Sequence, residues 1–406
     1  MMPNRRKPQA VASAEDALIR CVRTRGTAAR SDLADELGLV PSTIGVYVER
    51  LVRDGFLLET VTGERGLGRP PVKLRLNPAR GRFIGVDFDA RNVMGISVDF
   101  SQNPLKRLER VLSSPATTEA ALQTFKSVIA ELINANCDDI LGIGVGLPGI
   151  VDVESGVGVR CNFLEDWREV PVIDILSREF GVPVYVENNL RSMALAEYWF
   201  GEGRGSPRLA CLGVRTGIGM GIVIDGRLYR GANHVAGEIG MWQVPDVAMR
   251  ENPSGPPNIS STGKTIEQLA SMSAILTTAA ARLQAGESSI MAAHDAPLTT
   301  TGYLNALRQA DPLAVELAER VAVMHGWIIH HLMMVLDPDI LVLAGPLLHS
   351  PLYLDPLRAV CKEIGGETLS SRVVPSSLGP FAGALGAAAI AVHNWTPRTA
   401  EGDAAK

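Results

Sequence analysis

Six residues in the first seventy positions have the chemistry to grip a polyanion: Ser42, Thr43, Tyr47, Arg50, Arg65 and Arg69. Hydroxyls bond phosphate oxygens or base edges, and guanidinium groups pair with phosphate or enter a narrow minor groove. Arg69 lies in Gly68-Arg69-Pro70, where the small glycine admits a close approach to a groove. Arg65 sits beside Gly66 in the same loop.

The elements that must position these residues follow from periodicity. Ala17, Leu18, Ile19 and Val22 predict a helix over 14–25. Ser31 is the expected cap of a short helix over 32–37, ended by Gly38. Pro41 and Ser42 open a third helix, with Ile44, Val48, Leu51 and Val52 facing inward. Residues 56–61 and 72–76 read as two strands around a basic, Gly-rich loop. The sum is a winged helix-turn-helix over 1–80 that presents the start of its third helix and its wing. The competing reading is a protein-interaction winged helix whose charges are merely solvated.

Charge favours DNA. Residues 1–82 hold 15 Lys and Arg against 9 Asp and Glu, a net of +6, and the remainder is −11 within a total of −5. A basic head on an acidic body fits a nucleic-acid module joined to something else. The length of 406 residues predicts two or three domains. With 46% hydrophobic and 20% charged residues, a disordered chain is excluded. The longest apolar runs, such as Gly383–Val392, fall short of the roughly 18 residues of a membrane span. No apolar stretch follows the basic Arg5, Arg6 and Lys7. No membrane partner and no secretory signal are therefore expected, and the location is read as cytoplasmic. Cysteines at 21, 137, 161, 211 and 361 form no CxxC pair, which argues against a local thiolate zinc site and a disulfide framework.

The body alternates strands and helices. Phe83–Asp87 is a strand ending in a carboxylate, and Val93–Asp99 returns after a turn. Leu209–Val214, a Gly-rich turn over 216–221 and Ile222–Asp225 repeat that unit over a hundred residues later. Between them, helices over 118–136, 172–180 and 190–200 alternate with strands over 140–146 and 182–186. The pattern predicts a duplicated, two-lobed α/β body.

Residues 83–394 resemble the ROK family of repressors, open reading frames and sugar kinases. The matching stretches are Leu147-Pro148-Gly149, Asn162 with Trp167, Val186-Glu187-Asn188-Asn189, 216–221, Ala236-Gly237-Glu238-Ile239-Gly240, 266–271 and Leu343-Ala344-Gly345. With its basic head the chain resembles the repressor branch. The resemblance implies an actin-like, RNase H-like body with a sugar cleft between its lobes. One lobe would span 81–200, completed by a C-terminal helix over 381–394, and the other 201–380. It also implies a polyol-binding set of Asn162, Asn188, Asn189, Glu238 and Glu267, with Gly149 beside the cleft. Amides and carboxylates supply the paired donors and acceptors that sugar hydroxyls need. His234 stands where the family usually has glycine in GxxGxAGE, and it joins the ligand set; isolated histidines such as His234 and His349 are otherwise structural or surface residues.

The departures from the family carry as much as the matches. Kinases of the family open with a DxGGT-like phosphate loop. Here the stretch is Asp87-Phe88-Asp89-Ala90-Arg91, and Asp89 sets a negative charge where phosphates would lie. The family's Asn-Asp, whose Asp is the general base, is Asn188-Asn189, and an amide cannot take the proton. Glu187 is adjacent, but along a strand it points to the opposite face. The zinc-binding His is Met241, and the three Cys positions are Asn258, Ser260 and Thr265, none a competent thiolate. No catalytic residue, metal or cofactor is expected.

Arg215 replaces a common glycine, either as a charge for an anionic ligand or as an arginine bridging the lobes. The apolar segment Leu313–Leu336 is either a core helix or a dimer element. The expected protein is a sugar-responsive regulator without kinase activity, most simply a repressor. Its expected partners are operator DNA, a sugar or polyol effector and copies of itself in a homodimer or homotetramer. The alternatives are a bifunctional sugar kinase with a DNA-binding head and a constitutive DNA-binding protein whose body is a scaffold.

Overall fold

The computed structural model describes residues 14–61, 72–89, 92–112, 116–134, 139–161, 163–244, 263–293 and 298–396. Arg65, Arg69 and Asn162 lie outside these residues, as do Cys137, Asn258 and Ser260.

The head comprises α1 (Ala14–Arg25), α2 (Arg30–Leu37), α3 (Pro41–Arg53), β1 (Leu57–Val61) and β2 (Val72–Leu76). The two strands pair antiparallel from Leu57 opposite Leu76 to Val61 opposite Val72. Ala28 forms an isolated antiparallel bridge to β2, exchanging backbone bonds with Leu74 at 3.0 and 2.8 Å. This is a winged helix-turn-helix. One expected detail is corrected: Ser31 does not cap α2. The helix starts two residues earlier, with Ala29 at the cap position. There the Asp32 carboxylate accepts the Ala29 N–H at 3.0 Å. A carboxylate in the first turn satisfies an orphan donor and complements the helix dipole, so no hydroxyl is needed.

The body's first half runs β3 (Arg82–Asp89), β4 (Asn92–Asp99), β5 (Pro104–Val111), α4 (Thr118–Ile133) and β6 (Ile140–Leu147). It continues through a small antiparallel sheet of β7 (Ile150–Asp152), β8 (Val157–Arg160) and β9 (Arg168–Val170). Then come α5 (Val172–Phe180), β10 (Val184–Asn188) and α6 (Asn189–Phe200). The second half runs β11 (Arg208–Val214), β12 (Ile218–Ile224), β13 (Arg227–Leu228), α7 (Ile266–Ala270), α8 (Met272–Gln284) and α9 (Thr300–Arg308). It ends with α10 (Pro312–Leu336), β14 (Ile340–Ala344), α11 (Pro351–Ser370), β15 (Val373–Pro375) and α12 (Ala382–Asn394).

Two five-stranded sheets form, ordered β10-β6-β3-β4-β5 and β13-β12-β11-β14-β15. In each, three consecutive strands pair antiparallel, a later strand pairs parallel with the first of them, and a last strand pairs parallel with that one. The same topology twice in one chain is the duplicated, RNase H-like plan of an actin-like body. Helices α6 and α12 pack through Leu195, Ala389 and Ile390. Among the described residues no helix is long and apolar enough to cross a membrane. Cys21, Cys161, Cys211 and Cys361 are buried free thiols.

The Gly-rich segment 216–221 is not wholly a turn, because β12 begins at Ile218. Its glycines serve packing. A Cβ on Gly219 would lie 2.7 Å from Leu190, and one on Gly221 2.5 Å from Ala194. Both contacts are with α6, so the glycines let that helix press onto the second sheet.

Residues 78–82, which join head and body, form a docked junction. Pro78–Arg80 forms a 3-10 turn. Arg82 is buried and donates to the carbonyls of Leu132 and Ile133, each at 3.2 Å. Phe56 of the head packs on Phe100 and Trp395 of the body, with ring centroids 5.9 and 5.7 Å apart. Phe100 and Trp395 meet edge-on at 5.3 Å. One hydrophobic cluster runs from Leu18 in α1 through Phe83 to Ala391 in α12. Aromatic pairs add about 0.5–1.5 kcal/mol each beyond area burial. Head and first sheet therefore share one core.

Candidate functional site

Parallel strands β6 and β10 end side by side, with Leu147 opposite Asn188. Open α/β sheets bind ligands beyond the carboxyl ends of such strands. The second sheet faces this edge, and between them lies a pocket of about 50 Å³ lined by Gly149, Asn188, Asn189, Glu238 and Glu267. Five of the seven expected ligand residues thus converge, although they span more than a hundred positions. Asn162 lies outside the described residues. His234 is not among the lining residues. Its backbone has φ 58°, and its carbonyl accepts Arg191 Nη1 at 2.9 Å, so this residue shapes the turn that leads to Glu238.

Each converging residue is held locally. Asn188 caps α6: its Oδ1 accepts from the Leu190 and Arg191 amides at 3.0 and 3.2 Å, and its Nδ2 donates to the Gly149 carbonyl at 2.9 Å. Gly149 has φ +80°, and a Cβ there would meet the Arg160 carbonyl at 2.2 Å, so only glycine fits. Asn189 Nδ2 donates to the Phe88 carbonyl at 3.1 Å. That contact demands a donor, and a carboxylate in its place would face an oxygen. The position therefore suits an amide and not a general base. Glu267 sits in the first turn of α7 and accepts the Ile218 amide at 3.3 Å.

Burial raises the pKa of Glu238; Arg191 opposes that rise and Glu267 reinforces it. Burial likewise raises Glu267. Two such carboxyls accept hydrogen bonds from hydroxyls when ionised and can donate one when protonated, which is polyol chemistry. Behind them Glu187, expected to point away from the pocket, does so. It accepts Arg191 Nε at 2.9 Å and Arg230 Nε at 2.6 Å, and is fully buried.

The sequence left Arg215 between two roles, and the structure makes it the bridge. Its Nη2 meets Asp87 Oδ2 at 2.7 Å and its Nε meets Asp89 Oδ2 at 3.1 Å. Arg215 follows β11 of the second lobe, and both aspartates lie on β3 of the first. Asp87 is wholly buried, and burial raises its pKa against the pull of Arg215. Arg215 and Asp89 line this pocket and also a second cavity of about 420 Å³. The ion triad is thus a wall between two compartments.

Phosphates brought to this edge of β3 would meet two carboxylates whose counter-cation, Arg215, is already in place. A zinc ion does not fit the residues present either. Met241 is 56% exposed and offers no nitrogen donor. Thr265 is engaged in a capping box with Gln268, its Oγ1 accepting the Gln268 amide at 3.3 Å. Among the described residues no group of three or more His, Cys, Asp or Glu could hold a metal.

One supporting residue escaped sequence reasoning. His325, fully buried on α10, bonds the Tyr353 hydroxyl through Nδ1 at 2.8 Å and the Ala270 carbonyl through Nε2 at 3.0 Å. The carbonyl requires Nε2 to carry a proton, which in the neutral ring leaves Nδ1 to accept from the Tyr353 hydroxyl, and the ring steadies the end of α7 behind Glu267. Burial lowers its pKa from 6.5 to about 4. Between those values the unfolded chain takes up a proton that the folded chain refuses. Stability should fall by about 3 kcal/mol as pH drops through that window, on top of any carboxylate effect. Urea titrations of His325→Gln beside the parent at pH 7 and pH 4.5 check this: the variant should lose much of that dependence, and an identical dependence would contradict the assignment.

On the head, Ser42 is exposed and Thr43 and Tyr47 are half-buried at the start of α3. Arg50 has a partner inside the head, Glu15 at 3.0 Å, so its guanidinium braces α1 against α3. Val40 and Val46 are 62% and 58% exposed on the same end. Exposed apolar side chains at a recognition helix can meet thymine methyl groups.

The ROK family model matches residues 83–394. The chain belongs to the ROK family. Among ROK relatives, the xylose repressor of Bacillus subtilis is 26% identical over 377 residues, covering 90% of this chain and 91% of that protein. The glucokinase of Streptomyces coelicolor is 31% identical over 323 residues, covering 77% and 98%. Alignments to two other curated relatives cover only 57% and 53% of those proteins. A crystal structure of a ROK family transcriptional regulator, a homolog of the Escherichia coli Mlc protein, superposes with a TM-score of 0.74. It is 24% identical and covers 94% of this chain and 96% of that one, a likeness of fold that includes the head.

Proposed function

We propose that this ROK protein is a sugar-responsive transcriptional repressor without kinase activity. The observation that carries the reading is the Arg215–Asp87–Asp89 triad. It fills the phosphate end of a cleft whose polyol end keeps its amides and carboxylates. The full-length similarity to a protein named xylose repressor supports the same view. Residues 1–80 are the DNA-binding unit, 81–200 with 381–394 the first lobe, and 201–380 the second. Because the head shares a core with the first lobe, movement of the lobes carries the head with it. In a dimer or tetramer this changes the fit of paired heads to operator half-sites, provided the effector binds the two states unequally. Helix α10 supplies the dimer surface, with Val323, Trp327, Met334 and Val335 exposed on it.

The test is operator binding by purified protein across a panel of neutral sugars, amino sugars and sugar phosphates, with ATP turnover measured on the same panel. Release of DNA by a sugar with no turnover is expected. Phosphorylation of any sugar would instead favour the bifunctional kinase, a reading with a basis in the glucokinase similarity. Sugar-independent DNA binding with no thermal shift would favour the scaffold. In the wing, Arg69→Ala should weaken operator binding and lower the salt slope by about 1, leaving sugar binding intact. Unchanged affinity would remove the wing from the interface.

A further inference from the structure

We infer that Arg215 is a latch that holds the two lobes together and gates entry of the effector. The inference rests on the sugar-responsive reading above for its ligand, but not for its mechanics. Three observations carry it.

First, the bridge crosses between lobes and is preorganised. The Arg215 amide donates to the Gly217 carbonyl at 2.8 Å, and its own carbonyl accepts the Met272 amide at 3.0 Å. The backbone is thereby pinned on both sides before the side chain reaches across. Its two acceptors lie two residues apart on β3, hence on one face of that strand.

Second, the bridge is buried. The Arg215 side chain is 9% exposed, with Asp87 at 0% and Asp89 at 15%. Asp87 Oδ1 and Arg215 Nη1 have no hydrogen-bond partner among the described residues. Separating such a pair leaves charges uncompensated in a poor solvent, so the closed arrangement is favoured until water or a ligand can reach them.

Third, with the latch made, the polyol pocket is too small for its ligand. It holds about 50 Å³, against the roughly 300 Å³ or more typical of small-molecule sites. Arg215 and Asp89 form part of its wall. A sugar enters only when the lobes part, and its apparent affinity is reduced by the fraction of molecules that are latched. Weakening the latch should therefore tighten sugar binding.

Asp87→Asn is the cleanest variant, because Asp87 is not among the residues lining the pocket. The full-length variant should show a larger radius of gyration by small-angle scattering without sugar, and faster amide exchange in β3 and 214–217. It should bind D-xylose or D-glucose about 5- to 10-fold more tightly than the parent, whichever of the two shifts the parent's melting temperature. Arg215→Lys, which keeps the charge but loses the two-pronged reach, should shift both readouts in the same direction by less, and it stands in if Asp87→Asn fails to fold. Unchanged radius and exchange in the folded variant overturn the latch. Expansion with unchanged or weaker sugar affinity overturns the gating. Expansion with no response to either sugar in parent or variant leaves the latch standing and counts against the sugar-responsive reading.

Discussion

Replacing Glu187 with alanine is expected to cost about 3–5 kcal/mol of stability, the range for removing one partner from a buried ion pair. Glu187 is fully buried and holds three donors: Arg191 Nε, Arg230 Nε and the Asn188 amide. Its loss strands the Arg191 guanidinium, itself 1% exposed. The damage should spread to the pocket, because Arg191 also holds the turn at His234 through a 2.9 Å bond. Urea denaturation of the full chain checks this, with Glu187→Gln falling between parent and alanine variant. A loss below about 1 kcal/mol would mean that water reaches the site and solvates Arg191.

Glu238→Ala is expected to weaken effector binding about 10- to 100-fold, the worth of roughly 1.5–3 kcal/mol for hydrogen bonds to a charged group. Glu238 lines the pocket in company with Glu267. The operator complex should still form and should no longer dissociate at sugar concentrations that release the parent. Calorimetry and operator titrations with increasing sugar measure both. If the response survives at parental concentrations, the effector binds elsewhere, and the 420 Å³ cavity beyond Arg215 becomes the first place to look.

Local elements were legible where local chemistry decides them. Helix α5 spans Val172–Phe180 as expected, because Gly181 in a left-handed conformation ends it. Helix α1 likewise matches at Ala14–Arg25. The start of α2 was misread because two adjacent polar residues competed for one capping role, and the carboxylate won. The helix expected over 118–136 is described to Ile133, with Asn134 as its C-cap. The segment 216–221 read as a turn because glycines punctuate turns, whereas two of them sit in a strand to admit α6.

The site shows the same division. The residue types at 188, 189, 238 and 267 were visible as amides and carboxylates, as was the loss of a general base, a thiolate set and an uncharged phosphate loop. Their convergence was an inference from resemblance until the two sheets faced each other across the pocket. His325 carried no local signal, because a buried histidine in an apolar helix is defined by partners 55 and 28 residues away.

The sequence by itself determined the inventory: a basic winged head, a duplicated α/β body, and a set of amides and carboxylates beside a stretch that carries Asp89 where the ROK phosphate loop has glycine. It did so because helix and strand periodicity, capping and charge are properties of neighbours along the chain. Only the tertiary structure decided what Arg215 does. Asp87 and Arg215 lie 128 residues apart, and no pattern along the chain links them. Burial on both sides of the cleft turns them from two ordinary charges into a bridge, since in a poor solvent each is the other's best partner.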